Sequence, residues 1–177
     1  PWCDGQVLVT YDVLGLFDDH LAYRADLGKG IERDLLVPFA YAGLKDTIDY
    51  DTVRWRNRRF DPEEISTAVQ ADARMEKMWE AWARWPGART LCFCTSIAHA
   101  HFVKAWLTAR GVRAATVHSQ PESDDRDASL RDLVDARLDA VCAVDLFNEG
   151  IDLPTVDRVV MLRPTESPVV FLQQLGR

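Results

Sequence analysis

Long hydrophobic runs are missing from this 177-residue sequence. The longest apolar stretches, at 156–162 and 169–172, are short or interrupted by charge, whereas a bilayer-spanning helix needs roughly 20 apolar residues. We therefore expect no transmembrane helix and no membrane partner. Only four cysteines are present and the first residues show no signal-peptide pattern, so the sequence indicates no disulfide framework and we expect a cytoplasmic protein.

An excess of positive charge is also missing, since 28 acidic residues face 21 basic ones and the formal net charge is −7. A protein that holds nucleic acid by bulk charge needs a broad basic surface, so any contact with a polyanion must be local. The basic residues are 17 arginines and 4 lysines. This bias suits bidentate binding of phosphate or carboxylate, and it equally fits a bias in genome composition.

Two phosphate-binding signatures are missing as well. The sequence contains no Gly-x-x-x-x-Gly-Lys-Ser/Thr loop and no Asp-Glu box, the segments that hold nucleotide phosphates and Mg²⁺ in many nucleotide hydrolases. The chain starts at Pro1 rather than at a methionine, and it stops at Arg177 directly after a glycine. We therefore interpret it as a fragment of a longer protein.

A regular alternation of β-prone runs and helical periodicity follows Pro86-Gly87. The connections are long, which implies right-handed crossovers and hence a parallel sheet with helices on both faces. This pattern predicts the α/β class. The predicted strands are 90–95, 113–117, 140–144 and 158–162, and the predicted helices are 96–110, 124–137 and one that begins at Pro168.

Ligands of parallel sheets bind beyond the carboxyl ends of the strands. Gly150 permits close backbone approach at this edge, and Asp152 places a carboxylate there. A turn with an Asx cap is the structural alternative for that segment. The predicted functional edge comprises Ser96, Ser119, 145–152 and 163–167.

Residues 1–87 are less regular. We predict a strand over 35–42, an exposed hairpin or loop over 50–60, and a long helix over about 61–85. Asp61 is the expected N-cap of that helix, with Glu64 completing a capping box. Arginines flank Trp55 in the predicted hairpin, where they would either bind phosphates beside a stacking ring or remain solvated.

Four neighbouring residues are of zinc-ligand type: Cys92, Cys94, His99 and His101. The two cysteines alternate on a strand expected to be buried on both faces, where cysteine behaves as a small hydrophobic residue. No Cys-x-x-Cys knuckle accompanies them. We therefore predict no metal site.

Several segments, taken in order, resemble the C-terminal RecA-like motor domain of superfamily 2 DEAD/DEAH-like helicases, and the restriction-subunit-like group in particular. Leu-Cys-Phe-Cys-Thr-Ser at 91–96 resembles motif IV, and Val-Asp-Leu-Phe-Asn-Glu-Gly-Ile-Asp at 144–152 resembles motif V. Gln-Gln-Leu-Gly-Arg at 173–177 resembles the first part of motif VI. His118-Ser119 also fits the family pattern, and 1–5 resembles the motif III region that closes the first motor lobe.

The resemblance implies that 1–87 is the end of the first motor lobe and a mixed interlobe segment, and that 88–177 is the C-terminal RecA-like domain. It implies an ATP-dependent helicase or translocase whose ATP and Mg²⁺ are bound mainly by a missing N-terminal lobe in cis. Nucleic acid, DNA in preference to RNA, is the expected partner. A second motif VI arginine is expected three positions beyond Arg177, and the fragment alone is expected to be inactive.

The resemblance also implies roles for individual residues. Gln173 and Arg177 would be catalytic and face the γ-phosphate, and Gly150, Asp152 and Gly176 would bind ATP. Nucleic acid would contact Ser96, Ser119 and Thr165, together with Arg56 and Arg58 of the predicted hairpin. Many relatives have Thr at the position of Val144, so we expect no phosphate contact from that side chain.

Two other classes of protein compete with this interpretation. One is a noncatalytic RecA-like module that binds a nucleotide or a nucleic acid. The other is a small Rossmann-like enzyme, which the sequence disfavours because the turn at Thr95-Ser96-Ile97 lacks the expected glycines.

Overall fold

The computed structural model describes residues 27–34, 36–45, 48–56, 59–85, 87–144 and 155–164. The chain divides into two compact units, Pro1–Tyr41 and Ala42–Arg177. The boundary predicted between residues 87 and 88 stays a prediction.

The first unit contains helix α1, Leu27–Glu32, followed by a segment without regular secondary structure in its described residues. The amide of Leu36 donates to the carbonyl of Gly30 over 3.1 Å, so the chain turns back across the helix end. The strand predicted over 35–42 is wrong, since the described residues 36–42 form none. A strand forms only where a neighbouring strand pairs with its backbone N–H and C=O groups. Apolar, β-prone side chains do not provide that pairing, and Val37 in this segment is 80% exposed.

The second unit begins with a 3₁₀ turn, Tyr50–Thr52, and the predicted hairpin, in which β1 (Trp55–Arg56) pairs antiparallel with β2 (Arg59–Phe60). Helices α2 (Pro62–Val69) and α3 (Asp72–Arg84) follow. The alternating part then comprises β3 (Thr90–Phe93), α4 (Ile97–Thr108), β4 (Ala114–Val117), α5 (Arg126–Val134), β5 (Ala140–Ala143) and β6 (Arg158–Met161). None of the helices in these described ranges is long and apolar enough to span a bilayer.

The four strands β3 to β6 form a parallel sheet in the order β4-β5-β3-β6. Alternate residues of the central strand point to opposite faces. Leu91 and Phe93 join the core on the α5 side, and Cys92 joins the core on the side of α3 and α4. The predicted α/β fold, a parallel sheet with helices on both faces, is therefore confirmed.

The buried cysteines pack as small hydrophobic residues. Cys92 lies opposite Cys142 in the sheet, and both are fully buried, as is Cys94 to within 1%. A hydrogen bond with Cys142, together with burial, raises the pKa of the Cys92 thiol well above its usual value. The Cys92 thiol is therefore protonated at neutral pH, and all three cysteines belong to the hydrophobic core.

The single helix predicted over 61–85 is wrong, because Ala71 adopts an extended conformation between α2 and α3. The two halves bury their apolar faces in different clusters: α2 packs against Val53 through Ile65 and Val69, whereas α3 packs on the sheet through Met75 and Met78. In one continuous helix these two faces would point about 130° apart. The break lets each helix face its own cluster.

The segment before α5 covers the outer edge of β4. The amide of Asp124 donates to the carbonyl of Thr116 over 3.0 Å, and the Asp124 carboxylate accepts from the Thr116 amide over 2.8 Å. The Ser123 hydroxyl accepts from the His118 amide over 2.9 Å. Lys104 of α4 binds the same Asp124 carboxylate at 2.7 Å. We call these contacts the edge plug, since they occupy backbone groups that a strand at the edge of a sheet leaves open.

Arg158, at the start of β6, links α3 to the sheet by hydrogen bonds. Its guanidinium donates to the carbonyls of Trp82 (3.3 Å) and Trp85, where α3 ends, and to the Thr90 hydroxyl (3.3 Å). It also lies 4.2 Å from the centroid of the Trp82 ring. A cation placed there satisfies carbonyls that a helix terminus leaves without partners.

Replacing Arg158 with alanine is expected to lower the free energy of unfolding by about 2 kcal/mol, because the α3 carbonyls lose a charged donor. Urea denaturation of the purified protein measures this loss. The matched control is Arg131→Ala, since Arg131 is exposed on α5, and its effect should stay within about 0.5 kcal/mol. Equal unfolding midpoints for the two variants would contradict the role given to Arg158.

Candidate functional site

The carboxyl edge of the sheet holds the described part of the predicted site. Ser96 follows β3, and Ser119 follows β4. These strands are separated by β5, so their axes lie roughly 10 Å apart at the usual strand spacing. Val144, the first residue of the segment that resembles motif V, follows β5 between them, and its amide donates to the carbonyl of Val117 over 3.2 Å. Topology therefore places Ser96, Ser119 and Val144 along one edge.

The remaining predicted site residues are not described by the structure, or are described only in part. Arg56 belongs to β1 and is described by its backbone alone. The site residues outside the described ranges are Arg58, Gly150, Asp152, Thr165, Gln173, Gly176 and Arg177.

Ser96 is the N-cap of α4. Its backbone is extended, and its hydroxyl oxygen accepts from the amide of His99 over 3.1 Å. Serine is a preferred N-cap because its oxygen satisfies one of the amides that the first helical turn leaves without a partner. The side chain is only partly buried and stands at the positive end of the 12-residue helix. This position suits contact with an anionic group.

A second serine, Ser66 of α2, reaches the same hydroxyl. The two oxygens lie 2.5 Å apart, and the side-chain amide of Gln70 donates to Ser66 Oγ over 3.2 Å and to the Ser66 carbonyl over 2.8 Å. Helix α2 thus packs against α4 through polar groups that lead to Ser96. Sequence reasoning missed Ser66 and Gln70, although their spacing by four residues does place them on one helix face.

His99 is buried beneath Ser96. Its Nδ1 accepts from the Thr95 amide over 3.2 Å and lies 2.9 Å from the Thr95 hydroxyl, so the ring is neutral with its proton on Nε2. Burial, reinforced by the positive charge of Arg74, lowers the pKa of His99 to about 4. The neutral ring fixes the turn between β3 and α4 and so holds Ser96 in place.

Arg74 connects α3 to the same edge of the sheet. Its guanidinium donates to the carbonyl of Leu162, directly after β6, over 2.8 Å. Sequence reasoning missed this contact as well, because 88 residues separate the two groups. Helices α2 and α3, both from the less regular part of the sequence, therefore support the carboxyl edge of the sheet.

Ser119 is exposed in the turn after β4, whereas its neighbour His118 is buried. The Nδ1 atom of His118 accepts from the Gln120 amide over 3.2 Å, and the exposed ring of His101 meets the His118 ring edge-on at 5.3 Å between centroids. The turn is thus anchored by its histidine and leaves the Ser119 side chain accessible.

The hairpin β1–β2 projects Trp55, which is 51% exposed. The predicted N-cap is confirmed, since Asp61 Oδ1 accepts from the Glu64 amide over 3.2 Å. The Glu64 carboxylate, however, does not close a capping box: it accepts from the Arg54 amide over 2.8 Å and binds the Arg54 guanidinium. The hydrogen bonds from Arg54 lower the pKa of Glu64, and the bond from the Arg54 backbone amide has the largest effect. One of the arginines beside Trp55 is therefore paired with a carboxylate.

The side chain of Val144 is partly buried and packs against the core on the α3 and α4 side. It therefore contributes to packing at the end of β5.

Comparison with known proteins identifies the family to which this chain is similar. The model of the helicase conserved C-terminal domain matches residues 73–177, more than half of the chain. A 51.5 kDa protein of Lactococcus phage (isolate 7-9) is 29% identical over 166 residues, 91% of this chain and 36% of that protein. UvrABC system protein B of Thermus thermophilus is 33% identical over 88 residues, 50% of this chain and 13% of that protein.

The solved C-terminal domain of the DEAD-box protein Dbp5 superposes with a TM-score of 0.52 at 20% identity, covering 60% of this chain and 62% of that domain. This likeness confirms the RecA-like fold. The chain spans 36% or less of the length of the two curated relatives named above. On the family match over 73–177, together with the parallel sheet and its edge, the chain belongs to the C-terminal domain family of superfamily 2 helicases.

Proposed function

We propose that this chain is the C-terminal motor lobe and interlobe segment of an ATP-dependent helicase or translocase that moves along nucleic acid, DNA in preference to RNA. The family match over residues 73–177 carries the proposal. The preference for DNA rests on the likeness of 144–152 to motif V of the restriction-subunit-like group. A domain boundary near residue 87 is part of the same proposal.

Ser96 and Ser119 would contact the nucleic-acid backbone. Hydroxyl groups donate to phosphate oxygens, and Ser96 stands at the positive end of α4. Such contacts are few and local, so they are compatible with a net charge of −7. The exposed ring of Trp55, with Arg56 and Arg58 near it in sequence, would add a base-stacking surface.

ATP would be bound between this lobe and a second lobe in cis. Phosphoryl transfer is catalysed mainly by positioning and by neutralising charge, so one lobe holds the phosphates and the other adds a cation as charge develops. In this proposal Gly150, Asp152 and Gly176 contact the nucleotide, while Gln173 and Arg177 approach the γ-phosphate. Closing around ATP and reopening after hydrolysis would then move the two lobes along the strand.

Mg²⁺ would accompany the ATP and neutralise phosphate charge when bound. In the part of the chain that the structure describes, no group of three His, Cys, Asp or Glu side chains is placed to hold a metal ion. We assign no Mg²⁺ ligand to these residues, and no step of the proposal runs through a metal bound to them.

The experiment is to measure ATP hydrolysis by the protein encoded by the whole reading frame, alone and with single-stranded DNA or RNA. We expect hydrolysis to rise with nucleic acid, and more with DNA. The 177-residue chain alone should show no hydrolysis above background, because it carries one half of the nucleotide site. Turnover that is indifferent to nucleic acid would overturn the motor proposal and favour the noncatalytic binding module.

A further inference from the structure

We infer that helix α2 positions Ser96 for its contact with nucleic acid, through a hydrogen-bond relay that runs from Gln70 to Ser66 to Ser96. The inference rests on the proposed function, since it deepens the role given there to Ser96. It adds two positioning residues from outside the family match, which begins at residue 73.

The direction of the first step is fixed by chemistry. The side-chain nitrogen of Gln70 lies 2.8 Å from the Ser66 carbonyl, which only accepts, so this atom is the amide nitrogen and not the amide oxygen. The same nitrogen lies 3.2 Å from Ser66 Oγ. Ser66 therefore accepts from Gln70 and keeps its own hydroxyl proton available.

Burial decides the direction of the second step. Either hydroxyl can donate across the 2.5 Å contact between Ser66 and Ser96. If Ser96 donated, the Ser66 proton would need another acceptor, and the described residues supply none to a side chain that is only 8% exposed. A buried donor without a partner is costly. Ser66 therefore donates to Ser96.

This polarity sets the state of the Ser96 hydroxyl. Its oxygen accepts twice, from Ser66 and from the His99 amide, which uses both lone pairs. Its proton is then left to donate outward from a partly buried position at the carboxyl edge. A hydroxyl whose oxygen is fully occupied and whose proton is free is matched to a phosphate oxygen and mismatched to a donor group. Helix α2 thus sets both the orientation and the hydrogen-bonding character of Ser96.

The test is a double-mutant cycle on the whole protein, with affinity for a fluorescent single-stranded DNA read by anisotropy. We expect Ser96→Ala to weaken binding about tenfold, because the hydrogen bond to nucleic acid is lost. We expect Ser66→Ala to weaken binding about threefold, because the Ser96 hydroxyl remains but is no longer oriented. The double variant should bind like Ser96→Ala alone, because Ser66 acts only through Ser96. The slope of log affinity against log salt should stay unchanged, since no charge is removed.

Three further variants separate positioning from folding. Ser66→Thr keeps the hydroxyl and should restore affinity, whereas Gln70→Leu removes the first donor and should weaken binding without touching either serine. Thr67→Ala removes a hydroxyl from the exposed face of the same helix and should bind like the unaltered protein. Thermal unfolding of every variant shows whether the protein remains folded.

The outcomes distinguish the relay from the proposed function. If Ser96→Ala weakens binding while Ser66→Ala does not, or if the two losses add in the double variant, the relay is overturned and the proposed function stands. If the unaltered protein binds no single-stranded DNA or RNA, both are overturned. Loss of affinity in Thr67→Ala equal to that in Ser66→Ala would also overturn the relay.

Discussion

Replacing Arg177 with alanine is expected to lower nucleic-acid-stimulated ATP hydrolysis by about a thousandfold or more while leaving the fold intact. Negative charge spreads over the γ-phosphate as the reaction proceeds, and a guanidinium placed there in the transition state contributes on the order of 10³ or more to turnover. The role follows from the likeness of residues 173–177 to motif VI. The measurement is steady-state ATP hydrolysis by the whole protein at saturating DNA.

Two variants make the Arg177 experiment specific. Arg177→Lys keeps the positive charge but loses the planar bidentate donor, so most of the turnover should still be lost. Arg131→Ala removes an exposed arginine of α5 and should leave turnover unchanged. Normal turnover in Arg177→Ala would remove this residue from the nucleotide site.

Acid is expected to destabilise the protein through His99. The folded protein holds the pKa of His99 at about 4, whereas an unfolded chain has a histidine pKa near 6.5. Between these values the unfolded state binds a proton that the folded state does not, so stability falls as pH falls. The contribution is fully present above about pH 6.5, and about 3 kcal/mol is lost by about pH 4.

Urea denaturation between about pH 4.5 and pH 7.5 tests this linkage. In His99→Gln the dependence of unfolding free energy on pH should be shallower by up to about one proton, because glutamine does not titrate. Identical slopes for His99→Gln and the unaltered protein would refute the assignment.

The alternating part of the fold could be predicted from the sequence because its signals are local. Gly111, just beyond the end of α4, has a φ of +83°, a conformation that favours glycine, and Ser96 is the N-cap of α4. Strand ends fall within two residues of prediction, as in β3, predicted over 90–95 and observed over 90–93. Helix caps and apolar runs sufficed here.

The errors lie where tertiary partners decide local structure. The apolar run over 35–42 has β propensity, but propensity does not make a strand without a pairing neighbour. The helical pattern over 61–85 is continuous in sequence, yet its halves serve separate clusters, which only the positions of Val53 and the sheet reveal. Sequence periodicity shows which face of a helix is apolar. It does not show whether that face packs against one hydrophobic cluster or is divided between two.

The same limit applies to the candidate site. Ser96 and Ser119 were predictable, because the carboxyl ends of parallel strands meet at one edge whatever the details of packing. The contacts of Ser66 with Ser96 and of Arg74 with Leu162 join residues 30 and 88 positions apart, and neither has a local sequence signal. Glu64 likewise fits a capping box by spacing, but Arg54 ten residues earlier is its partner.

The edge plug on β4 bears on self-association. An uncovered edge strand is a template on which a neighbouring chain can add its own strand, and successive additions give polymers. Here the Thr116 amide donates to the Asp124 carboxylate and is therefore not available to a strand from another chain. Partial burial raises the pKa of Asp124, but the Lys104 ammonium and the Thr116 amide outweigh it and lower that pKa overall. The protection against strand addition is thus carried by an ionised group, and it persists to more acidic conditions than an ordinary aspartate would allow.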